Sequence, residues 1–484
     1  MKKTLAPLAW AAIPALLLSI SACNGNATGG SGLTPTSNAP AASQHGRVHR
    51  KIFSTTALYA GGATFPAYGY NDGAQPVGTP GPGQATPGPG SILASYGGTG
   101  TIYYCLTGSG FGRSTFEAGN TNGQSTAACA ALGASPTGFG AAVDPPDFAG
   151  SDVALPSTEC CASGTTYATN RASTYGQPFE IPTFGGPIVF ATNALGFSVS
   201  PIKLSTWTYC AIANGTISNW NDAAITADNG GHSVTGGTSE TITFYFRSDK
   251  SGTTFLFTNK LNDSHSGCNQ SFGAPYNGSP YASGSRSAAW TFGVNQLWPG
   301  PSSGNFVGAS GNPGVLAGIQ SGEFATGYVE GAWAASASPG TYGAIKQAWL
   351  LNQVSGKFID PTDGAAVAKS LSAVKGSSIS FGQGSDGSSL GSSTPNCQLY
   401  ISPSVFVTPT NAKAYPVVGL SYWLFYGNNL GVHTADKTTL VKYIASAAAN
   451  SVLSHYEYTP LVTGVHNQIL KALNGHGKVP GCLQ

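Results

Sequence analysis

Between Thr241 and Leu261 the chain changes periodicity across a single loop, and this limits it to folds in which strands feed helices. Thr241-Ile-Thr-Phe-Tyr-Phe246 is an apolar, β-branched run of strand length, while Thr254-Phe-Leu-Phe-Thr-Asn-Lys-Leu261 has apolar spacing that suits a helix. The joining residues, Arg247-Ser-Asp-Lys-Ser-Gly-Thr253, gather a guanidinium, hydroxyls and backbone amides where that helix begins. Ser251 is the expected N-cap. Amides at the positive end of a helix dipole attract anions, and Arg247 can add a two-pronged fork for a planar oxyanion. The same residues also suit a plain capped helix whose Arg247 pairs with Asp249. Elsewhere, short apolar runs alternate with Gly-punctuated turns and amphipathic stretches, the pattern of an α/β protein with mixed sheets.

Two other segments carry related chemistry. Tyr59-Ala-Gly-Gly-Ala-Thr64-Phe65-Pro66-Ala67 makes a tight turn at Gly61 and Gly62 after a short strand, with Pro66 suited to the first position of a helix. Phe148-Ala-Gly-Ser151-Asp152-Val-Ala-Leu is a strand end whose small-residue turn delivers one carboxylate. Each alone is common. In this order the three resemble the substrate-binding protein of the bacterial ABC phosphate transporter, including its DING-type relatives. Ile181-Pro-Thr-Phe-Gly-Gly-Pro-Ile-Val-Phe-Ala-Thr-Asn193, Ile217-Ser-Asn-Trp220-Asn-Asp222, Leu297-Trp-Pro299, Gly327-Tyr-Val-Glu330 and Tyr415-Pro-Val-Val418 follow the same family's order.

That resemblance implies a two-lobed periplasmic-binding-protein fold of type II. The chain would cross between lobes near Gly186–Asn193 and Tyr415–Leu420, with the ligand in the cleft between. Lobe I is expected over residues 57–187 and 416–484, and lobe II over 188–415. The implied ligand is inorganic phosphate, with arsenate as a competitor. Its expected contacts are Thr64, Phe65, Ser109, Asp152, Arg247, Ser251, Gly252 and Thr253, with Asp249 orienting Arg247 from behind. For the hydroxyl that the family supplies from a Gly-Ser-x-Gly loop, Gly108-Ser109-Gly110-Phe-Gly112 is the closer match, and Thr101 after Gly98-Thr-Gly100 is the alternative. Asp152 would select phosphate by accepting its proton, because a fully ionised sulfate sets acceptor against acceptor. Lys250 departs from the family's usual Gly and either strengthens the anion field or points to water. Arg247→Ala is expected to leave folding nearly intact.

Only 8% of residues are Asp, Glu, Lys or Arg, which suggests folding insensitive to pH and an acidic or harsh extracellular setting. The net charge of +2 offers no basic field for nucleic acid. No His-Glu-x-x-His or Walker motif is present, and the sequence points to no nucleophile or metal that a phosphomonoesterase would need. The expectation is a monomeric binding protein, not an enzyme, needing no metal or cofactor. It would serve an ABC permease or, in the alternative, act as a secreted or surface DING-type phosphate scavenger or adhesion protein.

Met1-Lys-Lys followed by apolar Leu5–Ala22 reads as a secretory signal over residues 1–22. Ile20-Ser-Ala-Cys23 resembles a lipobox, which would lipidate Cys23 and hold the protein at the periplasm or cell surface; plain cleavage after Ala22 is the alternative. Residues 23–56 form the expected tether. Setting Cys23 aside leaves eight of nine cysteines, enough for four disulfides in an exported chain. Asn71–Ser91 is a Gly/Pro-rich insertion that should cut the first helix short, and Gly376–Asn396 is expected to be a surface loop. The lipobox reading predicts that Cys23→Ala moves the protein from the membrane to the soluble fraction or blocks processing. Mass spectrometry finding a mature N-terminus at or beyond Cys23 without an acyl group would reject it.

Overall fold

The computed structural model describes residues 57–73, 87–119, 145–270, 286–475 and 480–484. The expected signal, Cys23, the tether and Cys129 lie outside these residues. The strands, in chain order, are β1 (Ala57–Gly62), β2 (Thr101–Leu106), β3 (Phe148–Ser151), β4 (Pro178–Asn193), β5 (Lys203–Leu204), β6 (Thr243–Arg247), β7 (Phe306–Ala309) and β8 (Ala325–Glu330). After them come β9 (Ile345–Gln347), β10 (Trp349–Asn352), β11 (Lys357–Ile359), β12 (Ile379–Phe381), β13 (Leu399–Ile401), β14 (Val418–Tyr426) and β15 (Thr459–Pro460).

The main sheet runs β2-β1-β3-β14-β4-β8-β6-β7, with β9 and β15 pairing β4 off that path. It is two half-sheets sharing one strand. Residues 178–187 of β4 pair antiparallel with β14, and residues 188–192 pair antiparallel with β8, so β4 changes partner between Pro187 and Ile188. The returning chain lies beside this switch: Val418 is in register with Pro187, and the Ile188 amide donates to the Val417 carbonyl at 2.9 Å. Within the halves, β1 is parallel to β2 and β3, and β6 is parallel to β7 and β8. All sixteen residues of β4 are buried, as expected for a strand covered on both faces.

Aromatic side chains fill each half. Tyr70 packs against Tyr104, Phe184 and Trp423 on one side of the switch, and Tyr328 stacks with Phe257 and Trp298 on the other. Disulfides join Cys210 to Cys268, Cys397 to Cys482 and Cys160 to Cys161, and Cys105 is disulfide-bonded as well. The helix before the Gly/Pro-rich insertion is five residues, Ala67–Asn71, with Pro66 one position ahead of it. Gly376–Asn396 is largely the exposed loop its composition suggests, but an anchored one. It contains β12, buries Leu390 completely, and is pinned by the Cys161 amide donating to the Leu390 carbonyl at 2.9 Å and by the Ser157 hydroxyl donating to Asp386.

Sparse charge does not make this protein indifferent to pH, because several of its few acids are buried. Burial pushes Asp152 to about 7, Glu180 to about 8 and Glu457 to about 7, and raises Glu117 and Glu330 well above the usual range. A folded state that holds protons the unfolded chain has released is most stable below the ordinary carboxylate pKa and loses stability as pH climbs toward 7 to 8. Glu159 and Asp249 act oppositely. Burial alone would raise both, but Arg113 and Arg247 outweigh it, so their contribution is lost only in stronger acid. Lys260, lowered by burial to about 7, restores some stability only above that pH. Melting temperature should therefore fall between pH 4.5, the ordinary value for Glu180, and about 8, and Glu180→Gln should flatten part of the slope. A scan that is flat or rising across this interval would contradict the burial argument.

Candidate functional site

Two sets of parallel strands, β1 to β3 in one half-sheet and β6 and β7 in the other, deliver their C-terminal ends to one place, the crevice where α/β sheets hold ligands. β1 leads to Thr64, β2 to the helix Ser109–Ala118, β3 to Asp152, β6 to Arg247 and the helix Gly252–Asn262, and β7 to the helix Gly311–Ser321. Gly62 makes the convergence possible. Its φ is +131°, and a Cβ there would collide with the Gly150 carbonyl of β3. Its own carbonyl accepts from the amides of Thr107 and Gly108 at 3.1 and 2.7 Å, which anchors the start of the Ser109 helix.

Arg247 is fully buried at the centre. Its Nε donates to Asp249 Oδ1 at 2.7 Å and its Nη2 to Asp249 Oδ2 at 2.5 Å. The fork expected to face a ligand is therefore taken by Asp249, whose Oδ1 also receives the Gly311 amide at 2.9 Å. What faces the other site groups is Nη1, 3.2 Å from Thr64 Oγ1, 3.3 Å from Thr253 Oγ1 and 3.2 Å from Asn312 Oδ1. The backbone is set from behind, where the Arg247 amide donates to Tyr328 Oη at 3.1 Å and Tyr328 bonds Thr254 Oγ1 at 2.6 Å. Ser251 caps the following helix through its Oγ, which accepts from the Thr254 amide at 3.1 Å.

Asp152 stands opposite. Its Oδ2 accepts from Ser109 Oγ at 3.1 Å and its Oδ1 from Ser421 Oγ at 3.0 Å, while its amide donates to Ser109 Oγ at 3.1 Å. Ser421 reaches it because β14 breaks register against β4 between Leu420 and Tyr422. Burial holds the Asp152 carboxyl near 7 despite these donors and the two arginines. Gly252, first in its helix, lies so near that a Cβ would stand 2.5 Å from both Asp152 Cβ and Ser109 Oγ. Phe65 packs its ring against Tyr458, whose hydroxyl donates to the Phe65 carbonyl at 2.8 Å. Thr101 is elsewhere: it opens β2, and the preceding loop wraps Asp436, which takes the Thr99 amide at 2.7 Å.

Polar contacts cross between the two groups of loops. Lys250 neither faces the anion site nor stands alone in water; its Nζ pairs with Glu159 Oε1 at 2.7 Å. Arg113 holds Glu159 Oε2 at 2.7 Å and reaches Gln296 at 2.5 Å, and the Gly110 amide donates to the Lys250 carbonyl at 2.9 Å. Sequence reasoning missed Ser421, Asn312, Arg113 and Tyr328. A lone Ser inside the apolar Val418–Tyr426 run and the helix-starting Gly311-Asn-Pro-Gly314 were signals for the first two.

Residues 101–447 match the PBP superfamily domain. The chain is 28% identical over 329 residues to phosphate-binding protein PstS2 of Mycobacterium bovis, covering 68% of this chain and 73% of that protein. It is 27% identical over 277 residues to phosphate-binding protein PstS of Methanocaldococcus jannaschii, covering 56% and 59%. Among solved structures, a high-affinity periplasmic phosphate-binding protein, PfluDING, bound with phosphate aligns over 88% of this chain and 96% of its own, with a TM-score of 0.57 at 20% identity. The ancestral soluble variant of the human phosphate binding protein gives 0.58 at 19% identity over 88% and 96%.

Burial of the Arg247–Asp249 pair overturns the expectation that Arg247→Ala is structurally mild. Removing one partner strands a charge away from water, which costs about 3–5 kcal/mol. Chemical denaturation should show Arg247→Ala destabilised on that scale and Arg247→Ala/Asp249→Ala recovering part of the loss. A single variant as stable as the parent would refute the pair's structural role.

Proposed function

We propose that this chain, which belongs to the PBP superfamily, captures inorganic phosphate outside the cytoplasmic membrane and hands it to an ABC-type permease. The site chemistry supports a tetrahedral oxyanion. Thr64 Oγ1 already accepts from Arg247 Nη1 and the Asn312 amide, so its own hydrogen is left to donate. The Ser251 hydroxyl accepts from Thr254 and likewise keeps its hydrogen. The amides of Phe65, Gly252 and Thr253, the Thr253 hydroxyl and Arg247 Nη1 complete the donors, while Asp249 serves only to aim Arg247. The reading implies no catalytic step; Cys23 is its lipid anchor, a single chain its working unit, and arsenate its competitor.

Asp152 against the Gly252 end of the helix is the observation that carries the assignment to phosphate. A buried carboxylate beside an anion site repels any ligand unless that ligand brings a proton. Phosphate does so at neutral pH: its hydroxyl can donate to Asp152 Oδ2, freeing the Ser109 hydrogen to turn from Asp152 to a phosphate oxygen. Sulfate offers no such proton, and the unpaired acceptors penalise it.

Calorimetry on phosphate-stripped protein should give one tight phosphate per chain, arsenate competition and no sulfate heat at pH 8. Because Asp152 holds its own proton below about 7, sulfate rejection should relax as the solution is acidified, and Asp152→Asn should admit sulfate at every pH. A parent that ignores phosphate, or an Asn variant that still excludes sulfate, would sink the corresponding half of the assignment.

A further inference from the structure

We propose that Asn312 is a ligand-binding residue of this site, contributing a side-chain N–H to the bound oxyanion; the inference rests on the phosphate reading above. Asn312 is completely buried in the first turn of the helix Gly311–Ser321. Its Oδ1 accepts from Arg247 Nη1 at 3.2 Å, and its backbone amide donates to Thr64 Oγ1 at 3.3 Å. Its Nδ2 has no hydrogen-bond partner among the described residues. The orientation of the amide is dictated by its neighbour, since turning it over would set an NH2 group against a guanidinium. The amide is also planar, so Nδ2 lies in the same polar cluster as Arg247 Nη1 and Thr64 Oγ1.

Three facts turn a spare donor into a ligand contact. A buried N–H without a partner is destabilising, so its presence is explained by a partner that arrives with the ligand. The helix start is built to face outward from its own turn: Ser310 makes no side-chain cap, and the first two amides go to Asp249 Oδ1 and Thr64 Oγ1. Finally, Asp249 occupies Arg247 Nε and one hydrogen of Nη2, so Arg247 cannot grip the anion with its Nε/Nη2 edge. A neutral amide beside Nη1 supplies the second prong that the arginine has lost. The site would then draw donors from the starts of the helices Gly252–Asn262 and Gly311–Ser321, on the loops after β6 and β7.

The test is phosphate calorimetry on the parent, Asn312→Ala and Asn312→Asp, with melting curves to confirm folding. Asn312→Ala should weaken phosphate roughly tenfold, the loss of one hydrogen bond to a charged group. Asn312→Asp keeps an oxygen for Arg247 but replaces the donor by a negative acceptor, so it should abolish measurable binding. An Asp variant that binds like the parent, whatever Ala does, means the residue only positions Arg247 and overturns the proposal. If the Asp variant does not fold, parental affinity in the Ala variant overturns it and the tenfold loss supports it. A parent that does not bind phosphate fails the function itself and takes this inference with it, whereas a binding parent with an unaffected Ala variant fails the inference alone.

Discussion

A guanidinium cannot be taken out of water without a carboxylate to meet it, and the arrangement of this site follows from how Arg247 satisfies that demand. Asp249, two residues on, closes on Nε and Nη2 and leaves Nη1 as the arginine's contact with Thr64, Thr253 and Asn312. The same carboxylate takes the Gly311 amide and so draws in the end of a helix that begins more than sixty residues later. Asp152 is the counterpoise: a second buried carboxylate with hydroxyl partners and, among the described residues, no cation in contact, held near 7 because burial opposes its charge. One acid is held ionic down to lower pH by its arginine and the other is left sensitive to a proton near neutrality. Environment, not residue type, separates their roles.

What could be read from the sequence was local. The strand, loop and helix from Thr241 to Leu261 announce themselves through periodicity and a capping serine, and the structure builds them as β6 and the helix Gly252–Asn262, with Ser251 accepting from Thr254. The short helix ahead of the Gly/Pro-rich stretch was equally visible. Contacts set by topology were not. Ser421 meets Asp152 across 269 positions through a register break in β14; a lone Ser in an apolar run hints at a polar role but names neither the break nor the partner. Burial was the other blind spot. A low charge content suggested few titrating groups, but it did not reveal that the remaining acids are packed inside, where each matters more. Gly376–Asn396 shows the same limit: its composition marks a surface loop but not the anchors at Asp386 and Leu390, whose partners, Ser157 and Cys161, lie far away in sequence.

The parallel strands explain why distant motifs share one site. Each of β1, β2, β3, β6 and β7 ends on the same side of its half-sheet, so whatever follows it is delivered to the crevice. Binding chemistry is thereby separated from the core. Tyr70, Trp423, Phe257 and Tyr328 hold the two halves solid while the loops carry the polar groups, and Tyr328 joins the systems by stacking with one face and bonding the Arg247 amide with its hydroxyl.

The passage of β4 from one half-sheet to the other has a mechanical side. Pro187–Ile188 and Val417–Val418 lie edge to edge and are hydrogen-bonded. Sliding one half along the other would require a register slip, which turns every inward side chain of a strand outward. Resistance to shear thus resides in the backbone itself, at the two places where the chain passes between the half-sheets, and not in any side chain.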